Sequence, residues 1–381
     1  LKRIYLDHNA TTRPHPAVVE AMRTSLEEAW GNPSSLHAFG QEAKRLLDRA
    51  RSQVAALIGA DPEEIIFTSG GTESDNHALR QGAVLNGGRR ILTSAIEHSA
   101  ILDTCRAMEH QGFSTVLLAV DSEGLLDPAG VKAALDADTA LLSVMLANND
   151  LGTIQPVAEI AEKARSLGIP VHSDAVQAAG KLPMNVRELG VDLLSISAHK
   201  LYGPKGVGAL FVHRGLALPS YITGGPQERR LRAGTENLPG IAGFGVACEL
   251  AKAALEARSA HTRHLRDQLE RGILEGISGT RLNGHREQRV SNTLNISFEG
   301  LMGEDLLLNL DLEGIAVSLG AACQSESRKP SPVLLALGRS EAEAGSSLRF
   351  SLGEANTEDE IIRTLEILKA TVVRLRARRR P

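Results

Sequence analysis

The chain has 381 residues, with 42 Lys and Arg against 46 Asp and Glu, a net charge of −4 and only three cysteines. That length fits two or three ordinary domains with a large core, and the mixed charge lacks the basic excess of a nucleic-acid binder. The cysteines (Cys105, Cys248, Cys323) are far apart and show no metal-ligand spacing, which excludes a disulfide framework and a zinc cluster and points to reducing surroundings.

The start, "LKRIYLDHNATT", carries no apolar signal core, and no run of about 18 uninterrupted apolar residues marks a membrane span. The expectation is a cytoplasmic protein with no membrane, nucleic-acid or metal partner. In chain order, seven apolar runs read as strands: "EIIFTS" (64–69), "RRILTS" (89–94), "STVLLAV" (114–120), "ALLSVMLA" (140–147), "IPVHSD" (169–174), "DLLSISA" (192–198) and "GALFVH" (208–213). Helical patterns lie between them, such as "TESDNHALRQGAVL" and "VAEIAEKARSLG", the second closed by a glycine. Strands apolar on both faces, alternating with helices, imply an α/β fold with a mainly parallel sheet covered on both sides. From Leu238 to Ile277 the pattern stays helical. Shorter strands then follow, "NTLNISF" (292–298) and "SLRFSL" (347–352), and imply a smaller α+β domain. The basic tail "RLRARRR" reads as either a solvated helix end or a docking site.

In open α/β sheets ligands bind beyond the carboxyl ends of the strands. Past the first run lies "SGGTESDN", where Gly70 and Gly71 form either an ordinary turn or a cradle for a phosphate at a helix start. Asp174 ends the fifth run, with Gln177 three residues on; it either caps the next turn or faces a cationic ring nitrogen. Lys200 follows the sixth run in "SAHKLYGPKGVG", flanked by Ser197 and His199, where a dry site would make it an amine nucleophile. GxxxxGK[ST] is absent, which rejects a Walker-type site, and no GxGxxG follows the first strand. His98 lies just past the second run. A phosphate cradle, an acid, an imidazole and a strand-end lysine in one pocket fit pyridoxal phosphate.

These segments, with "YLDHNATT", "GNPSSLH", "EHSA", "NNDLGTIQP", "HSDAVQAAGK", "RAGTEN", "GAACQSESRKPSPVLLALG" and "SSLRFSLG", resemble a cysteine desulfurase of the NifS/IscS-like branch. This is the class V aminotransferase group of fold-type I pyridoxal-phosphate enzymes. The resemblance implies a large domain of residues 13–250 with a mainly parallel seven-stranded sheet. It also implies a small domain of residues 1–12 and 251–381 carrying the cysteine loop. Lys200 is then the lysine that holds the cofactor aldehyde. Asp174 pairs with the pyridine nitrogen, Gln177 with the ring hydroxyl, and His98 stacks on the ring and moves protons. Gly71, Thr72, Ser197 and His199 hold the phosphate, joined by Thr235 from the partner of a homodimer. Asn149 sits near cofactor and substrate, and Arg349 takes the substrate carboxylate. Cys323, in "SLGAACQSESRKP", is the sulfur-accepting nucleophile, while Cys105 and Cys248 are packing residues.

The implied activity is PLP-dependent removal of sulfur from L-cysteine, giving L-alanine and a Cys323 persulfide. The sulfur passes to an acceptor such as an iron–sulfur scaffold or a thiolation relay. The alternative is another class V reaction, transamination of a small amino acid or selenocysteine lysis. Three residues depart from the family pattern: Gln324 and Glu326 beside the cysteine, and Asp150 where Glu is usual. None is expected to touch the chemistry. The seven residues from Cys323 to Pro330 suit the branch with a long cysteine loop.

Overall fold

In the computed structural model, which describes residues 3–320 and 330–378, all seven expected runs join one sheet. Its strands are β2 (Ile65–Thr68), β3 (Arg90–Ser94), β4 (Ser114–Leu118), β5 (Thr139–Ser143), β6 (Val171–Asp174), β7 (Leu193–Ser197) and β8 (Gly208–Val212), in the order β2-β8-β7-β6-β5-β3-β4. Strand β8 runs antiparallel to both of its neighbours, and every other pairing is parallel. The short link from β7 to β8 accounts for that reversal, because a parallel return needs a crossover of a dozen or more residues. Strands β5 to β8 are buried at every position, as expected for a sheet covered on both faces.

Helix α3 (Gly71–Gly82) starts one residue earlier than the sequence pattern suggested. Helix α6 (Val157–Arg165) stops at Arg165, before the left-handed Gly168. Two helices that the pattern did not single out, α1 (Pro16–Glu27) and α2 (Ala38–Ile58), pack along the first half of α8 (Leu238–Gly276).

The 39-residue helix α8 joins two cores. Its first half places Leu238, Ile241, Phe244, Ala247, Cys248 and Ala251 in the core under the large sheet. Its second half places Leu265, Leu269 and Ile273 in another core. That core also holds an antiparallel sheet of β9 (Thr280–Asn283), β10 (Thr293–Phe298) and β12 (Ser347–Ser351). The N-terminal strand β1 (Ile4–Tyr5) pairs in parallel with β11 (Ile315–Ala316), so Ile4 and Leu6 fill this second core too. Helix α8 is long enough to cross a bilayer, but its apolar side chains serve these two cores. Cys105 and Cys248 are buried among apolar residues, where desolvation pushes the Cys105 thiol up to about 12 and Cys248 well above its usual value. Both are packing residues, as their apolar contexts implied.

Candidate active site

Four strands deliver chemistry to one cleft of about 430 Å³. Gly71 and Thr72 open α3 directly after β2. His98 caps α4 (Ser99–Glu109) after β3. Asp174 is the last residue of β6, and Ser197 the last of β7, followed by His199 and Lys200 in a single 3-10 turn. From the second core β12 contributes Arg349, and the segment after β5 contributes Asn149 and Asp150. Gln177 lines the same cleft. Sequence reasoning therefore brought ten residues to one place. Thr235 is exposed outside this cleft of the single chain, and Cys323, Gln324 and Glu326 lie outside the described residues.

The glycines explain how helix and sheet come this close. A Cβ on Gly71 would lie 2.8 Å from Val176 Cγ2, and one on Gly208 would lie 2.7 Å from the Cα of Gly70. The start of α3 is thereby pressed against the ends of β6 and β7, with its first N–H groups beside Ser197.

Lys200 Nζ donates to the backbone carbonyls of Asn9, at 2.5 Å, and Ala10, at 2.9 Å. Asn9 is a hub that the sequence did not reveal. Its carbonyl also accepts from Gln177 Nε2 at 2.9 Å, and its Oδ1 accepts from Lys181 at 3.0 Å and Asn292 at 3.1 Å. Its Nδ2 donates to Thr293 Oγ1 at 2.8 Å and to Asn149 O at 3.1 Å, while its N–H reaches Ser351 Oγ at 2.9 Å. Lys181 fixes the Gln177 amide by donating to its Oε1 at 2.7 Å. Burial first, then the charges of Lys200 and Arg349, hold the Lys181 amine well below its usual value.

Asp174 and His98 each cap a following turn and also face the cleft. Asp174 Oδ1 caps Val176 N–H at 2.8 Å, and His98 Nδ1 accepts from Ala100 N–H at 3.1 Å, yet both side chains line the cleft. Burial pushes the Asp174 carboxyl up, while His98 and Lys200 pull it back. Asp75, on α3, is held well above the carboxylate range by burial and then by the charge of Asp174. Both carboxyls are thus pushed up by burial, and the two titrate as a pair. Glu97 accepts from Ser94 Oγ at 2.6 Å and Met145 N–H at 2.9 Å, and burial pushes it up to about 8. His199 is pushed down to about 4 by burial and the neighbouring lysines, so it is a neutral imidazole at pH 7.

Asp150 lies on the far wall: its Oδ1 is 3.4 Å from Arg349 Nη1 and accepts from Asn149 Nδ2 at 2.8 Å. That contact left no signal in the sequence, because Asp150 precedes Arg349 by nearly two hundred residues and only the packing of the two cores makes them neighbours. Asp75, Glu97, Lys181 and Asn9 were missed as site residues, although "TESDN", "EHSA", "AAGK" and "DHNATT" contain them. Among the residues of the cleft wall, four buried atoms have no hydrogen-bond partner among the described residues: Asp75 Oδ1 (3.7 Å from His172 Nε2), Glu97 Oε2, Asn149 Oδ1 and Arg349 Nε. Buried polar atoms are seldom left unpaired, so the cleft is built to receive a polar ligand.

Comparison with known proteins agrees with this architecture. Residues 4–363 match the family described as aminotransferase class-V. The chain is 47% identical over 377 residues to "Cysteine desulfurase IscS" of Dictyoglomus turgidum, covering 98% of this chain and 96% of that one. It is also 47% identical to the protein of the same name from Methanosarcina thermophila, covering 98% of this chain and 93% of that one. Among solved structures, a NifS-like protein superposes with a TM-score of 0.92 at 38% identity, covering 98% of this chain and all of that one. SspA in complex with cysteine superposes with a TM-score of 0.82 at 35% identity, covering 93% of this chain and all of that one. With a strand-end lysine, a buried acid and an arginine from the second core facing one cleft, and with matches along nearly its whole length, the chain belongs to the aminotransferase class-V family.

Proposed function

We propose that the chain is a cysteine desulfurase, which takes sulfur from L-cysteine, releases L-alanine and carries the sulfur as a persulfide on Cys323. The observation that carries this reading is the convergence of Lys200, Asp174 and Arg349 on one cleft of about 430 Å³. The cleft fits pyridoxal 5′-phosphate by its donor set and by its unpaired buried atoms. Lys200 would hold the aldehyde carbon and Asp174 the pyridine nitrogen. Gln177 would meet the ring hydroxyl, His98 the ring face, and Asn149 the edge nearest the substrate. Gly71, Thr72, Ser197 and His199 would hold the phosphate, with Thr235 of a second copy completing that contact. When bound, the group supplies an electron-withdrawing ring that makes the substrate Cα–H acidic and its Cβ–S bond labile.

The protein's own groups do the rest. Arg349 takes the substrate carboxylate. His98 has Nδ1 committed as an acceptor, so proton transfer falls to Nε2. The Cys323 thiolate attacks the substrate sulfur. An S–S bond forms as Cβ–S breaks, the electron pair stays with the carbon skeleton, and its protonation gives alanine. Overall, L-cysteine and one enzyme thiol become L-alanine and one enzyme persulfide.

The exposed apolar cluster of Trp30, Leu36 and Phe39 supports a homodimer. The family's names support an iron–sulfur scaffold or another sulfur-accepting protein as partner, and we assign the protein to a reducing cytoplasm. We divide the chain at residues 12/13 and 250/251; the second division falls within α8, as a change of packing partner without a break in the helix.

The test is incubation of the cofactor-loaded protein with L-cysteine and a reductant. The expected result is equal alanine and sulfide, with an adduct of about 32 daltons on the Cys323 peptide before reduction. Cys323→Ala loses adduct and turnover, and Lys200→Ala loses the cofactor's absorbance near the violet edge. Alanine formed without any adduct overturns the persulfide mechanism.

A further inference from the structure

Arg349 is 2% exposed and meets two carboxylates before any substrate arrives. Asp7 Oδ1 holds Nη2 at 2.7 Å. Nη1 has three acceptors for two hydrogens: Gly320 O at 2.7 Å, Asn149 O at 3.2 Å and Asp150 Oδ1 at 3.4 Å. Nε is buried and has none among the described residues. The guanidinium is thus crowded at one nitrogen and unsatisfied at another.

Asp150 is the loosest of these partners, and it has support of its own. Its Oδ1 accepts from Asn149 Nδ2 at 2.8 Å, and its Oδ2 accepts from Ser331 Oγ at 2.9 Å. Both donors stay with it if Arg349 turns away, so release would not strand a bare buried carboxylate. Its backbone N–H is pinned to Asn148 Oδ1 at 2.9 Å. On the other side Gly320 is packed so closely that a Cβ there would lie 3.0 Å from Asp150 Oδ2. The carboxylate therefore has a fixed seat beside the arginine. Burial pushes the Asp150 carboxyl up and Arg349 pulls it back, and a third carboxylate brought to a guanidinium that already faces Asp7 and Asp150 adds crowding in a buried place.

We propose that Asp150 is an internal stand-in for the substrate carboxylate: it holds Arg349 in the resting site, gives it up when L-cysteine binds, and so sets how tightly substrate is held. This rests on the reading of Arg349 as the group that takes that carboxylate. Asp150 is a positioning residue acting through Arg349. Removing its charge while keeping its shape removes the competitor, so substrate binding tightens.

The holoenzyme of Asp150→Asn provides the test, beside the parent and Arg349→Lys. In Asp150→Asn the KM for L-cysteine falls about fivefold with kcat within about twofold, a split that separates binding from chemistry. Titration of the Cys323→Ala holoenzyme with L-alanine shows the same tightening when Asp150→Asn is added. If Arg349→Lys leaves KM unchanged, the reading of Arg349 fails and the stand-in falls with it. If Arg349→Lys raises KM tenfold or more but Asp150→Asn leaves KM within twofold or raises it, the stand-in alone is overturned. A fall in melting temperature and kcat without a lower KM marks a merely structural aspartate and also overturns it.

Discussion

Arg51 and Arg349 are both buried arginines paired with carboxylates, and they are finished differently. Arg51, on α2, makes a two-pronged pair with Glu228, Nη2 to Oε1 at 2.6 Å and Nη1 to Oε2 at 2.8 Å. Its Nη1 also reaches Ile65 O at 2.6 Å, Glu228 Oε2 accepts Phe67 N–H at 2.9 Å, and the guanidinium stacks 4.8 Å from the Phe67 ring. This pair locks the edge strand β2 to the segment that leads to Thr235. Arg349 instead divides itself among two carboxylates and two carbonyls and keeps Nε unpaired among the described residues. The Arg51 pair is closed, with every strong acceptor placed, whereas the Arg349 pairing is left open at the place where the proposal has it exchange partners. An unpaired nitrogen alone does not mark exchange, since Arg289, paired with Glu270, also keeps two among the described residues.

Arg51→Met should give the largest effect on stability. It leaves Glu228 buried without its counter-charge and costs about 3–5 kcal/mol, read by urea unfolding, with KM for L-cysteine unchanged. Arg349→Lys keeps the charge but loses the planar fork. Here kcat/KM should fall about 30- to 100-fold, roughly 2–3 kcal/mol, while unfolding stability moves by less than about 1 kcal/mol. Equal losses of stability in the two variants would erase the distinction between closed and open pairs.

Glu97 extends the comparison to an acid with one oxygen unpaired. Burial raises it from 4.5 to about 8, so the folded protein holds a proton that the unfolded chain releases at lower pH. Its neutral form contributes full stability below pH 4.5, and that contribution declines as pH rises to about 8. Glu97→Gln removes this decline. The stability gap between variant and parent should therefore widen over that window, by at most about 1.4 kcal/mol per pH unit, and stay flat above it. A gap independent of pH would mean that Glu97 is charged in the fold. The smallest effect belongs to the segment that Arg51 anchors. Glu228, Arg229 and Arg230 have φ of 45°, 55° and 68°, three successive left-handed residues without a glycine. Arg230 is exposed, so Arg230→Gly should stabilise the protein by about 1 kcal/mol in the same urea assay, with KM unchanged.

The features legible in the sequence are those written in consecutive residues. Runs such as "DLLSISA" are long and apolar enough to declare buried strands, and the rule that ligands sit past strand ends led to Lys200, Asp174 and His98. Contacts between segments far apart in the chain left no local signal. The Asn9 carbonyl that holds Lys200 is a backbone atom, which no residue type announces. The pairing of Ile4 with Ile315 involves strands of two residues, too short to show a period. Asp75 sits in a polar helical run that reads as a solvated face, but the start of α3 is pressed against the sheet and the carboxyl is buried. Asp150 and Arg349 were each visible as motif residues, and their contact was not.

The engagement of Asn9 also bears on how the protein is made. Asn9 leaves the ribosome 283 to 342 residues ahead of its partners Asn292, Thr293 and Ser351. At about 5–20 residues per second, tens of seconds separate the two events. Until Ser351 emerges, Asn9 lacks the hydrogen bonds that Asn292, Thr293 and Ser351 supply. The large sheet can form during translation, but a nascent chain cannot present a finished lysine pocket before the segment around Ser351 has emerged.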